Sequence, residues 1–190
     1  SKEKLVSFGE CHVINMCTLE EIGPKIYSKN FEIRNFEFNI NQENIKKNIL
    51  ERYSQYHRLD KSKFIDKSLE NFFNLEIIIN IFPKAKFLHT FRNSLDSIIS
   101  IYQSMLPDLS WTHKIEDILS YIDNYKKVSE YYKFKYPKNF LDINLEKFTL
   151  DSEEFTKKIF NFCELTWNKN ILEFYKRKDL HAKTLSFKQV

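Results

Sequence analysis

The sequence predicts an α/β protein, with helices covering a doubly wound parallel sheet; the order of its elements carries that prediction, and two features of composition bound it. First, residues 63–105 alternate between short β-favouring runs and helical stripes, in the order strand, helix, strand, helix. At this length such alternation implies parallel strands joined by right-handed crossovers. Second, the chain has 190 residues, 42% of them hydrophobic and 16% aromatic, enough to bury the core of one domain. Third, it holds only two glycines, Gly9 and Gly23, so no Gly-rich phosphate loop can be built from it. In open parallel sheets ligands sit beyond the carboxyl ends of the strands. Two cations fall there, Lys67 after the first run and Arg92 after the second.

The elements follow in order. The opening, SKEKLVSFGECHVINMCTLEEIGPKI, has no pattern of a folded cap, and the chain enters as if in mid-protein. Residues 30–40 alternate weakly through Phe31, Ile33, Phe36, Phe38 and Ile40. Residues 41–56 form an amphipathic helix with Ile45, Ile49, Leu50 and Tyr53 on its apolar face. Residues 63–66 are a short strand, and the stripe from Phe72 to Ile81 is a helix that Pro83 ends. Residues 86–90, KFLHT, have the look of a strand buried on both faces. Ser94 is placed to cap a helix whose apolar face carries Leu95, Ile98, Ile99, Tyr102 and Met105. A loop over 107–112 carries Trp111, and a long helix covers 114–136. A strand at 139–143 and a helix at 154–163 complete the pattern.

Charge and cysteine content narrow the function classes. The net charge is +4, from 30 basic and 26 acidic residues, with lysine dominating the basic set. That is a mild bias towards anionic ligands, well short of the dense patch of a nucleic-acid binder. There is no run of 18 apolar residues and no signal-peptide pattern, so no membrane segment is expected. Cys11, Cys17 and Cys163 have neither metal nor disulfide spacing, which points to a reducing, cytoplasmic setting. The five histidines are scattered, and no metal site is expected.

Arg92 and Ser100 form the sharpest local feature. Ser100 lies about two turns into its helix, roughly 10 Å along the axis from Asn93. An arginine at the strand end can lean over the first turn and share a phosphate with that hydroxyl. The free N–H groups of the helix start would assist. The plainer reading is a surface arginine and a serine on a solvated helix face.

The central segment resembles that of sulfotransferases, in particular the branch related to tyrosylprotein sulfotransferases. That branch reads D-K-x-P-x-N-F, then F-P-x-A-K-x-x-H and R-x-P-x-D-x-x-x-S-x-Y. Here stand Asp66, Lys67, Asn71, Phe72, Phe82, Pro83, Ala85, Lys86, His89, Arg92, Asp96, Ser100 and Tyr102. Two prolines of the pattern are replaced by Leu69 and Ser94. The resemblance implies a three-layer fold of the P-loop nucleotide-binding type, lacking here its first strand and loop. It also implies that residues 1–190 are a single sulfotransferase domain cut at both ends, inactive by itself. Ser7-Phe8-Gly9-Glu10 resembles the Gly-Glu pair of that branch, where the glutamate is the proposed general base. His12 is a rival base, since an imidazole titrates near neutrality. Where the family carries an aromatic before a glutamate, this chain has Leu145-Glu146. Leu165-Thr166-Trp167 resembles a G-L-x-W step without its glycine. The tail, AKTLSFKQV, resembles V-R-T-A-S-x-x-Q-V, a segment that folds over the nucleotide. By composition alone it reads as a disordered basic end.

What the resemblance implies is transfer of a sulfuryl group from 3′-phosphoadenosine 5′-phosphosulfate (PAPS) to a hydroxyl-bearing acceptor, such as a protein tyrosine or a carbohydrate. Glu10 would take the acceptor proton and Lys67 would stabilise the developing charge. Arg92, Ser100, Lys183, Thr184 and Ser186 would hold the co-substrate. Two other readings stay open: a P-loop kinase, and a non-catalytic relative that binds a nucleotide or a partner.

Overall fold

The computed structural model describes residues 5–26, 41–59 and 63–176, and the chain divides into two compact units, Ser1–Ala85 and Lys86–Val190. Among the described residues, each unit holds one pair of parallel strands. In the first, β1 (Leu5–Ser7) pairs with β2 (Lys63–Ile65), with Val6 opposite Phe64. In the second, β3 (Phe87–Phe91) pairs with β4 (Phe140–Asn144), with His89 opposite Asp142. Parallel neighbours need a long crossover, and helices supply it in both units.

The described residues of the first unit form α1 (Val13–Ile26), α2 (Gln42–Tyr56) and α3 (Leu75–Ile81). The apolar face expected on α2 is the one it buries. Ile45, Ile49 and Tyr53 are fully enclosed, together with Val13, Ile14 and Cys17 of α1 and Leu75, Ile78 and Ile81 of α3. Each such side chain contributes about 1.5–3 kcal/mol relative to exposure. Asn41 caps α2 by accepting the Asn44 amide at 3.1 Å, and Arg52 grips Glu20 of α1 at 2.7 Å. Phe8, just past β1, stacks on Tyr53 with ring centroids 4.4 Å apart, and Phe64 of β2 lies 4.9 Å from the same ring. The strand ends are thereby pinned to α2 by aromatic contacts.

The second unit carries α4 (Ser94–Ser104), the long α5 (Ile115–Lys135), α6 (Leu145–Leu150) and α7 (Ser152–Phe162). Its enclosed residues include Ile98, Ile118, Tyr132, Phe140 and Ile143. Trp111 stacks on Tyr121 with centroids 3.9 Å apart, fixing the turn before α5. The Trp167 indole donates to Thr156 Oγ1 at 3.1 Å, and Lys157 lies over its ring at 4.8 Å.

Several expectations change. Among the described residues the strands form two parallel pairs, and the doubly wound three-layer sheet that was expected is not seen there. The opening segment, which had no pattern of a folded cap, forms β1 and α1; a three-residue strand is too short to leave a period. The expected helix from Phe72 starts at Leu75 instead, because residues Leu69–Phe72 make a tighter 3-10 turn. The cap of α4 is Asn93, whose side chain accepts the Leu95 amide at 2.8 Å, and not Ser94. The stripe foreseen on α4 buries only Ile98, while Leu95 stays 68% and Met105 58% exposed. Helix α4 packs against α5 and the 3-10 turn Ser110–His113, which leaves most of its apolar stripe uncovered among the described residues. The weak alternation over residues 30–40 lies outside the described residues. Among those described, no helix is long and apolar enough to cross a membrane.

Candidate functional site

In the first unit, two chain segments meet where β1 and β2 end side by side. Parallel pairing brings Ser7 opposite Ile65, so the residues that follow each strand leave the same edge. The Lys67 amide donates to the Gly9 carbonyl at 2.7 Å, which extends the ladder beyond the strands. Gly9 takes φ +65°, a left-handed conformation that a residue with a Cβ adopts only at a cost of about 1–2 kcal/mol. The turn that it allows sets Glu10 beside Lys67, with Nζ and Oε1 3.7 Å apart and both side chains more than half exposed. The two residues that the sequence singled out for catalysis are therefore neighbours.

Beneath them lies a hydrogen-bond network centred on Asp66. Its Oδ1 accepts the Ser68 amide at 2.8 Å and the Ser68 hydroxyl at 2.6 Å. Its Oδ2 accepts the Tyr53 hydroxyl and, at 3.3 Å, the Cys11 thiol. Burial favours the neutral carboxyl here, but the bonds from Ser68, Tyr53 and Cys11 outweigh it and hold Asp66 below the ordinary carboxylate value. The same contacts push the partners up: Tyr53 by burial and its bond to Asp66, Cys11 mainly by burial. The backbone N–H of His12 donates to Ser68 Oγ at 2.9 Å, so the two segments are joined again one residue further on. His12 itself has φ +56°, and its Nδ1 lies 2.9 Å from Glu70 Oε2. Its carbonyl accepts the Met16 amide, which makes it the start of α1.

In the second unit, Arg92 follows β3 and leans back over the first turn of α4, as expected. It reaches Ser97 and not Ser100: Nε donates to Ser97 Oγ at 3.3 Å, and the guanidinium also reaches the Asp96 carbonyl at 3.4 Å. Ser100 stands one turn beyond, half-buried, its carbonyl accepting the Ser104 hydroxyl at 2.7 Å. Glu146, after β4, accepts the Asn93 amide at 2.6 Å and so fixes the loop that carries Arg92. That bond, with the charge of Arg92 nearby, holds the Glu146 carboxyl below its ordinary value. Within the same unit His89 is enclosed. Its Nδ1 meets Asp142 at 2.7 Å and its Nε2 meets the Tyr125 hydroxyl, while Lys133 pairs with Asp142 at 2.7 Å. This network ties β3 and β4 to α5. Burial opposes ionisation of Asp142, but Lys133 and His89 hold it low. Lys183, Thr184 and Ser186 lie outside the described residues. Among the described residues, no group of three or more His, Cys, Asp or Glu is arranged to hold a metal ion.

Sequence reasoning passed over Asp66, Tyr53, Ser68 and Glu70 as members of the site. Asp66 and Asn71 stood in the motif, but nothing in spacing could join residue 53 or 12 to that loop.

A model of the sulfotransferase family matches residues 25–169. The chain belongs to the sulfotransferase family. Lys67, Arg92 and Ser100 fall inside the matched span, whereas Glu10, His12 and the tail residues fall outside it. An uncharacterized protein of Aquifex aeolicus (strain VF5) is 30% identical over 132 residues, which is 67% of this chain and 17% of that protein. The chain thus spans less than a fifth of that relative's length. Membership of the sulfotransferase family suggests the P-loop-like α/β fold, of which parallel strands joined through helices are one part.

Proposed function

We propose that this chain belongs to a PAPS-dependent sulfotransferase domain that transfers a sulfuryl group to a hydroxyl. The observation that carries the reading is the Glu10–Lys67 pair, 3.7 Å apart at the ends of two parallel strands. Sulfuryl transfer resembles phosphoryl transfer: the protein positions the groups and stabilises charge. Lys67 offers its ammonium to the sulfuryl oxygens and to the bridging oxygen as it departs. Glu10, by the pattern of the tyrosylprotein branch, and His12, by its chemistry, are the two groups able to take the acceptor proton. Arg92 and Ser100 would bind the 3′-phosphate that distinguishes this donor from ATP, with Lys183, Thr184 and Ser186 closing over the nucleotide. For Arg92 this requires leaving Ser97, a move that exchanges a 3.3 Å contact with an uncharged hydroxyl for one with an anion. The acceptor is a hydroxyl compound, with a protein tyrosine or a sugar as the leading classes.

The test uses the complete protein with radiolabelled PAPS and a panel of phenols, sugars and tyrosine peptides. Sulfate transfer to one class, abolished in Lys67→Ala, supports the reading. Tight adenosine 3′,5′-bisphosphate binding without transfer to any acceptor would favour a non-catalytic relative. Preference for ADP would favour a kinase.

A further inference from the structure

Two groups on the segment joined to residues 66–70 can accept a proton, and the surroundings of the two differ. Glu10 extends from the turn at Gly9, and Lys67 is its contact among the described residues. His12 is held at three points: its amide donates to Ser68 Oγ at 2.9 Å, its carbonyl caps α1 through Met16 at 3.0 Å, and its ring meets Glu70 at 2.9 Å. It also occupies a left-handed conformation, which strains a residue with a Cβ. Strain of this kind persists only where its surroundings over-determine it, and it concentrates at functional positions. Because a carboxylate only accepts, the contact with Glu70 makes Nδ1 the protonated nitrogen and leaves the Nε2 lone pair free to accept. Glu70 in turn is kept ionised. Burial opposes this, but its own backbone amide and the His12 ring outweigh it and hold its carboxyl below the ordinary value. The imidazole is half exposed, at 50%, so a substrate hydroxyl can reach it.

Resting on the sulfotransferase reading, we propose that His12 is the general base of the transfer and that Glu70 is its positioning residue, with Glu10 serving as the partner that aims Lys67. In the step, the acceptor oxygen bonds to sulfur while its proton passes to His12 Nε2. The bond between sulfur and the bridging oxygen breaks, and its electron pair leaves on adenosine 3′,5′-bisphosphate beside the Lys67 ammonium. The imidazolium formed is balanced by the Glu70 carboxylate at 2.9 Å. The other titratable groups on these two segments are Glu10, Cys11, Asp66 and Lys67. Asp66 and Cys11 are engaged with each other, and Glu10 with Lys67.

The experiment compares His12→Gln, Glu70→Gln and Glu10→Gln in the complete protein. It measures adenosine 3′,5′-bisphosphate binding by calorimetry, and turnover against pH with the best hydroxyl acceptor of a panel. The expected result is a loss of kcat of about 10²-fold or more in His12→Gln, with nucleotide affinity unchanged. Glu70→Gln should lose less and move the pH–rate profile to lower pH, because the imidazolium lacks its counter-charge; a purely structural role would not move the profile. Glu10→Gln should lose less than His12→Gln. If Glu10→Gln abolishes turnover and His12→Gln retains it, the base assignment is overturned while the sulfotransferase reading stands. Nucleotide binding without turnover by the unaltered protein also overturns the assignment. Failure of the unaltered protein to bind adenosine 3′,5′-bisphosphate overturns the reading, and the assignment with it.

Discussion

The loops that follow β1 and β2 are knitted together, whereas the loop that follows β3 is joined to the residues after β4 through Glu146. In the first unit a backbone bond, a thiol, a hydroxyl, an imidazole and an ammonium join residues 9–12 to residues 66–70 through five contacts. In the second, Glu146 fixes Asn93, and Arg92 rests on Ser97 through a single long bond and a carbonyl contact. The difference matches what each would have to do. Groups that act on a transferring sulfuryl must be placed before the substrate arrives, since misplacement by about 1 Å costs about 10²-fold. An arginine that grips a phosphate can reorganise on binding, because its charge-assisted bonds supply the driving force.

The largest expected effect breaks the chemistry without breaking the fold. Lys67→Ala should lower kcat by about 10²–10³-fold, as removal of a charge-stabilising donor does. Its thermal midpoint should barely move, since an exposed ion pair is worth about 1 kcal/mol or less. A fall in both would mean that Lys67 is structural.

The next effect does the reverse. Asp66→Ala strips the acceptor from the Tyr53 hydroxyl, the Cys11 thiol and Ser68, and should cost about 3 kcal/mol in a denaturant titration. The pH dependence follows from the same group. The folded state holds Asp66 below its ordinary value, so the unfolded chain binds that proton more readily. Its contribution is complete above about pH 5 and is lost as pH falls through the folded value. Asp66→Asn should therefore flatten the acid limb of the stability curve, and an unchanged limb would show that the network adds no pH-linked stability.

Smaller effects fall on the looser loop. Arg92→Ala should weaken adenosine 3′,5′-bisphosphate binding by about 2 kcal/mol, roughly thirtyfold, with no change in melting. Ser100→Ala should cost about 1 kcal/mol, since it removes one neutral hydroxyl contact. Equal and negligible effects at both positions would assign the phosphate to other residues.

The central motif made Lys67, Arg92 and Ser100 legible because they sit at fixed offsets from strand ends, and strand ends are visible in apolar runs such as Phe87–Phe91. Glu10 was legible only through resemblance, and its meeting with Lys67 depends on the pairing of β1 with β2, which no local period encodes. Helix α2 was readable to within one residue because its buried side chains recur at helical spacing. Strand β1 was not, since Leu5–Ser7 has one half-buried side chain between two exposed ones. The His12–Glu70 contact spans 58 positions and rests on a left-handed turn that sequence gives no reason to expect at histidine.

The central claim is use of a 3′-phosphorylated adenosine donor, and calorimetry on the complete protein tests it most directly. Adenosine 3′,5′-bisphosphate and ADP are titrated in parallel, with Arg92→Ala as the control. The account predicts that the bisphosphate binds at least tenfold more tightly than ADP and that Arg92→Ala erases the preference. Equal affinity for the two nucleotides, or tighter binding of ADP, would contradict it.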